Sequence, residues 1–94
     1  SRHVLVVVSP ASPYSLRSHL EHPLRVAGIT VDEDGPNFLL HRDLEAPPAS
    51  PRPPFGDVAL RDFDGHGEML DRGLEGFALE SHEDEVRVRY GSWP

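Results

Sequence analysis

The sequence predicts an α+β fold, a small single domain with a mostly antiparallel or mixed sheet of five to six strands and one or two short helices. Three observations carry that prediction. A continuous β-branched run opens the chain at His3–Val8, a short apolar stripe at helical spacing follows, and the remainder holds paired apolar segments bounded by turn residues. The 94 residues supply material for one core, so residues 1–94 are read as one domain. Leu, Ile, Val and Phe are abundant enough to offset chain entropy, which places the chain among folded proteins.

The first element, HVLVVV, has no polar alternation, and such a run predicts a strand buried on both faces. Ser9 to Pro13 break it. Ser12 before Pro13 has the form of a helix N-cap with proline at the first helical position. Leu16, Leu20 and Leu24 follow at intervals of four, and Pro23 ends the helix by His22. Arg25 to Asp43 reads as a hairpin, with Val26, Ile29 and Val31 before the turn segment DEDGPN and Phe38 to His41 after it. Residues 46–54, APPASPRPP, hold five prolines and predict an extended surface loop.

Asp57 to Phe63 alternates as a strand should. Gly67 to Gly76 is ambiguous: Leu70, Leu74 and Phe77 fit a helical stripe, but Gly73 and Gly76 each weaken a helix by roughly 1 kcal/mol. The expectation there is irregular strand and turn. The last segment reads as a hairpin pairing Leu79 with Val86 and Phe77 with Val88 around a four-residue turn, Ser81 to Asp84. No internal repeat is visible.

Charge narrows the function classes. Nine positive and sixteen negative side chains give a net charge of −7, the opposite of what a nucleic-acid backbone attracts, so no nucleic-acid partner is expected. The longest apolar run is Val4–Val8, too short for a membrane span or a secretory signal, and a cytoplasmic location is expected. Cysteine is absent, which excludes disulfides, thiolate metal sites and thiol nucleophiles. Every positive charge is Arg, with ten prolines and no Lys, a bias that tracks GC-rich codons and points to a bacterial or phage gene.

Motifs for chemistry are weak. Asp62, Asp64, His66 and Gly67 fall at calcium-loop positions one, three, five and six, but position five is an imidazole and position twelve is Gly73 instead of Glu. His19 and His22 share a helix face at metal-ligand spacing, and His3, His41 or Asp43 would have to complete the set. No nucleophile elbow or phosphate-cradling glycine pattern is present, so no enzyme and no cofactor is expected. Two P-x-x-P segments, Pro48–Pro51 and Pro51–Pro54, fit aromatic grooves of partner domains or a plain connector.

The acidic clusters carry the functional expectation. Asp32, Glu33 and Asp34 fall at one expected turn, and Glu83, Asp84 and Glu85 at another. A third cluster, Asp62 to Glu68, follows a strand, and if these ends face one side they form a negative surface that steers a basic protein partner. Tyr90 and Trp93, with Phe55, supply aromatic anchors, the residue types that dominate interface energies. The sequence is read on this basis as a binding protein of inhibitor or immunity type that occludes a basic surface. The alternative is an assembly module that self-associates through the Pro-rich loop and edge pairing of Val86–Tyr90, and a metal-binding domain is the second alternative.

Overall fold

The computed structural model describes residues 2–94. Its elements, in chain order, are β1 (His3–Val8), α1 (Pro13–Glu21), β2 (Arg25–Asp32), β3 (Gly35–Asp43), β4 (Arg52–Ala59), α2 (Phe63–Asp71), β5 (Glu75–His82) and β6 (Glu85–Ser92). The six strands form one antiparallel sheet in the order β1-β3-β2-β5-β6-β4. The α+β expectation stands, with six strands and two helices.

A β-α-β-β unit occurs twice, and a shift of 50 residues superimposes both helices and the strands that follow them. Registers repeat too: β1 lies on β3 as β4 lies on β6, and the bulge between Val26 and Gly28 recurs between Gly76 and Ala78. The duplication corrects the expectation of no repeat. Few residues coincide at that shift, among them Val8/Val58, Leu20/Leu70, Leu24/Leu74 and the turn pair Glu33-Asp34/Glu83-Asp84. What repeats is burial, so the signal lies in geometry more than in residue identity.

The halves meet at one bridge, Val26 opposite Gly76 on β2 and β5. A Cβ on Gly76 would come within 2.9 Å of Val88 Cγ1 and 3.0 Å of Val26 Cβ, so glycine is what lets the two strands cross there. Each helix packs across this crossing, α1 against β5 and α2 against β2. The shared core holds Leu16 and Leu20 from α1, Val26, Phe38 and Leu40 from the first half, and Val58, Val88 and Tyr90 from the second.

Several local expectations change. β1 is an edge strand with Leu5 63% and Val7 57% exposed, not a strand buried on both faces. Residues 63–71 form α2 instead of irregular strand, and the strand expected to reach Phe63 ends at Ala59. Gly73 and Gly76, which argued against a helix, lie beyond it: Gly73 adopts φ +81° just after the C-cap, and Gly76 is in β5. The Asp62 carboxylate caps α2 by accepting from the Gly65 N–H at 3.1 Å. At α1, Ser12 occupies the N-cap position and Pro13 follows as expected, but the Ser12 side chain makes no capping bond.

The hairpin register also shifts. Leu79 pairs with Val88 and Ser81 with Val86, around a two-residue turn in which Glu83 takes φ +56°. Moving the partner by two residues leaves the same side chains on the same face, so apolar pattern alone cannot separate the two registers. The Pro-rich loop is shorter than expected, because Arg52, Pro53 and Pro54 belong to β4, an edge strand where missing N–H donors are tolerated.

Candidate docking face

Both helices cover one face of the sheet. Val26, Leu40, Val58, Val88 and Tyr90 point toward them, so the alternate residues of each strand point away. On β2, β5, β6 and β4 those residues include Arg25, Glu75, Glu80, Arg87, Arg89 and Asp57. Phe77 joins them because the bulge before Ala78 sets both residues opposite Arg89.

An aromatic cluster runs across this helix-free face. Phe55 and Phe77 lie with ring centroids 6.2 Å apart, and Phe77 and Trp93 6.0 Å apart. Both ends carry a guanidinium: Arg25 stacks 4.0 Å from the Trp93 ring centre, and Arg89 lies 5.1 Å from that of Phe55. Gly91 makes room for this packing, since a Cβ there would come within 3.1 Å of the Phe55 ring. Trp93 Nε1 donates to the Glu75 carbonyl at 3.4 Å, which fixes the indole across the ends of β5 and β6.

Ion pairs frame the cluster. Arg25 pairs with Glu75 at 3.1 Å, Arg89 with Glu80 at 3.0 Å, and Arg87 with both Asp57 and Glu85 at 2.7 Å. Bonds from His82 and Arg89 hold the Glu80 carboxyl below its usual range. A cleft of about 460 Å³ opens beside the cluster, lined by Phe77, Trp93 and Arg25, by Pro47, Pro48 and Pro51, and by Leu20, Pro23 and Leu24 at the end of α1 and the loop after it. The Pro-rich segment is therefore the wall of a cleft as well as a connector.

The expected site residues do not converge. β2 and β5 are antiparallel and cross near their starts, so their turns, with Asp32–Asp34 and Glu83–Glu85, lie at opposite ends of the sheet. The single acidic surface posited from sequence is not formed by these two turns. Asp32 is occupied by its own loop, accepting from the Asp34 N–H and from Asn37 Nδ2, both at 2.8 Å. Glu33, Asp34, Glu83 and Asp84 are exposed, and Glu85 is paired with Arg87. Tyr90 is fully buried and bonded to His66, so it cannot anchor a partner. Of the expected aromatics, Trp93 and Phe55 sit in the cluster.

Arg25, Phe77 and Arg89 were missed from sequence. Strict alternation sets Phe77 on the same face as Leu79, and the bulge turns it to the other. Val86–Tyr90 cannot pair at an edge, since β6 lies between β5 and β4. The calcium-like segment is helix: Asp62 caps it, His66 points into the core, and Asp64 and Glu68 face outward. His19 Nδ1 bonds the Ser15 carbonyl at 2.7 Å, and among the described residues no three His, Asp or Glu converge as metal ligands. No helix is long and apolar enough to cross a membrane. No family model, curated protein or solved structure matches the chain.

Proposed function

We propose that the protein is a protein-binding module, not an enzyme, which docks through its helix-free sheet face and covers a basic surface on its partner. The observation that supports this reading is the Arg25–Trp93–Phe77–Phe55–Arg89 cluster beside a proline-walled cleft. Aromatic and Arg side chains held at fixed geometry are the groups that carry interface energy at low entropic cost. The titratable groups around the cluster are spent on one another as ion pairs, which favours a rigid contact surface over proton transfer.

Long-range attraction would come from the excess negative charge. The exposed carboxylates Glu33, Asp34, Glu83 and Asp84 at the two turns supply it, since the stripe Asp64, Glu68 and Asp71 on α2 lies on the opposite side of the sheet from the docking face. A cytoplasmic inhibitor or immunity-type factor fits this division between acidic steering and aromatic anchoring.

The test compares three immobilised baits in host lysate: wild type, Trp93→Ala, and Glu83→Arg/Asp84→Arg. A basic protein captured by wild type, lost with Trp93→Ala, and captured more slowly by the charge-reversed bait is the expected result. Capture indifferent to Trp93→Ala overturns the docking face, and capture indifferent to the reversal overturns the acidic steering.

A further inference from the structure

We infer that the free edge of β1 pairs with β1 of a second copy, forming an antiparallel dimer centred on Leu5. The two edges of the sheet are equivalent strands of the duplicated unit, and they differ in protection. β4 carries Pro53 and Pro54 and a register shift between Arg52 and Gly56, devices that blunt an edge. β1 has none of them: it contains no proline and no carboxylate, and its register on β3 is unbroken from His3 to Val8. Its composition, aliphatic on both faces after His3, is that of an interior strand.

The hydrogen-bonding pattern selects a second copy as occupant. The Leu44 N–H donates to the Arg2 carbonyl at 2.9 Å, so the even-numbered residues of β1 direct their main-chain groups at β3. His3, Leu5 and Val7 therefore point theirs outward. An antiparallel partner that sets Leu5 opposite Leu5 also sets His3 opposite Val7, and every outward N–H and C=O of these three residues meets its complement. Leu5 and Val7 are covered on the helix-free face, and Val4 lies opposite Val6 on the helix side, where both are only partly buried. Arg2 falls opposite Val8, so no like charges oppose one another along the seam despite the net charge of −7. The twelve strands then end at β4 on both sides, the edge already guarded by proline. The Trp93 cluster lies on the far half of the sheet and stays free, so this dimer stands independently of the docking face.

The test is sedimentation of the purified chain from low micromolar to near-millimolar concentration, with two variants. Val7→Pro removes an outward donor without touching the ladder to β3. Leu5→Lys sets two ammonium groups together, and because Leu5 is largely exposed the fold is retained even if Val7→Pro fails to fold. A concentration-dependent dimer in wild type, reduced at least tenfold in affinity by Leu5→Lys, is expected. In this cysteine-free chain, Leu5→Cys should cross-link under mild oxidation, whereas the still more exposed control Val31→Cys should not. A wild-type monomer at every concentration, a dimer indifferent to Leu5→Lys, or equal cross-linking of both cysteine variants overturns the inference.

Discussion

The Tyr90 hydroxyl donates to Nδ1 of His66 across 2.8 Å, and neither side chain has any exposed surface. His66 Nε2 in turn donates to the Leu60 carbonyl at 3.0 Å, which fixes the neutral tautomer carrying its proton on Nε2. Every polar atom of the pair is thereby satisfied between α2 and β6. Burial raises the Tyr90 pKa and keeps the phenol protonated, as the donor role requires.

Tyr90→Phe removes that donor and leaves an imidazole acceptor buried without a partner. The expected cost is about 1–3 kcal/mol, measured by chemical denaturation. A cost near zero would mean that water reaches Nδ1.

Stability should also depend on pH through His66. Burial lowers its pKa from 6.5, because the imidazolium is poorly solvated in the core. Between 6.5 and the lower folded value, the unfolded chain binds a proton that the folded chain refuses. The contribution is thus complete above pH 6.5 and is lost as pH falls toward the folded pKa, by at most about 1.4 kcal/mol per pH unit. His66→Leu, which copies the equivalent Leu16 of the first half, should lose this part of the acid sensitivity when melting curves at about pH 7.5 and about pH 5 are compared.

Gly76→Ala places a methyl group against Val26 and Val88 at the only bridge between the halves among the described residues. Overpacking of this kind costs about 1–3 kcal/mol. Val26→Ala in the same chain should recover part of the loss, since the two sites share one space. Additive losses in the double variant would show that the crossing does not depend on this contact.

The two N-cap positions, equivalent in the duplicated unit, should respond differently. Asp62→Ala removes the carboxylate bonded to Gly65 and should cost about 1 kcal/mol. Ser12→Ala removes a hydroxyl that makes no capping bond, and the melting temperature should barely move.

Trp93 is the sole tryptophan, and its emission reports on the cluster directly. Arg25→Gln should shift that emission by removing the stacked guanidinium, without loss of folded structure by circular dichroism. Dilution across the concentration range of β1 pairing should leave the emission unchanged, because the edge and the cluster occupy opposite halves of the sheet.

Elements whose signal lies within their own segment are legible from residues alone: the β-branched run of β1, the leucine stripe and proline of α1, the β2–β3 hairpin and the presence of a final hairpin. What escaped was set by contacts distant in sequence. α2 contains two glycines, and Gly65 is required by Val58, since a Cβ there would lie 2.7 Å from its side chain. Phe77 changed faces because one bulge inverts the alternation that sequence reading assumes. β1 looked interior because its composition is interior, and the sheet order that puts it outside depends on both halves. Trp93 could be named as an anchor from its chemistry, but its partners Arg25 and Phe77 come from strands that only the crossing brings together.

That crossing has a consequence for the chain as a physical object. Since α1 rests on β5 and α2 on β2, neither half holds a complete core when alone. A protease cutting between Ala46 and Pro51 would sever the covalent link and leave the packing intact. The two fragments should then co-purify as one particle, and each, once separated, should be recovered only by mixing with the other.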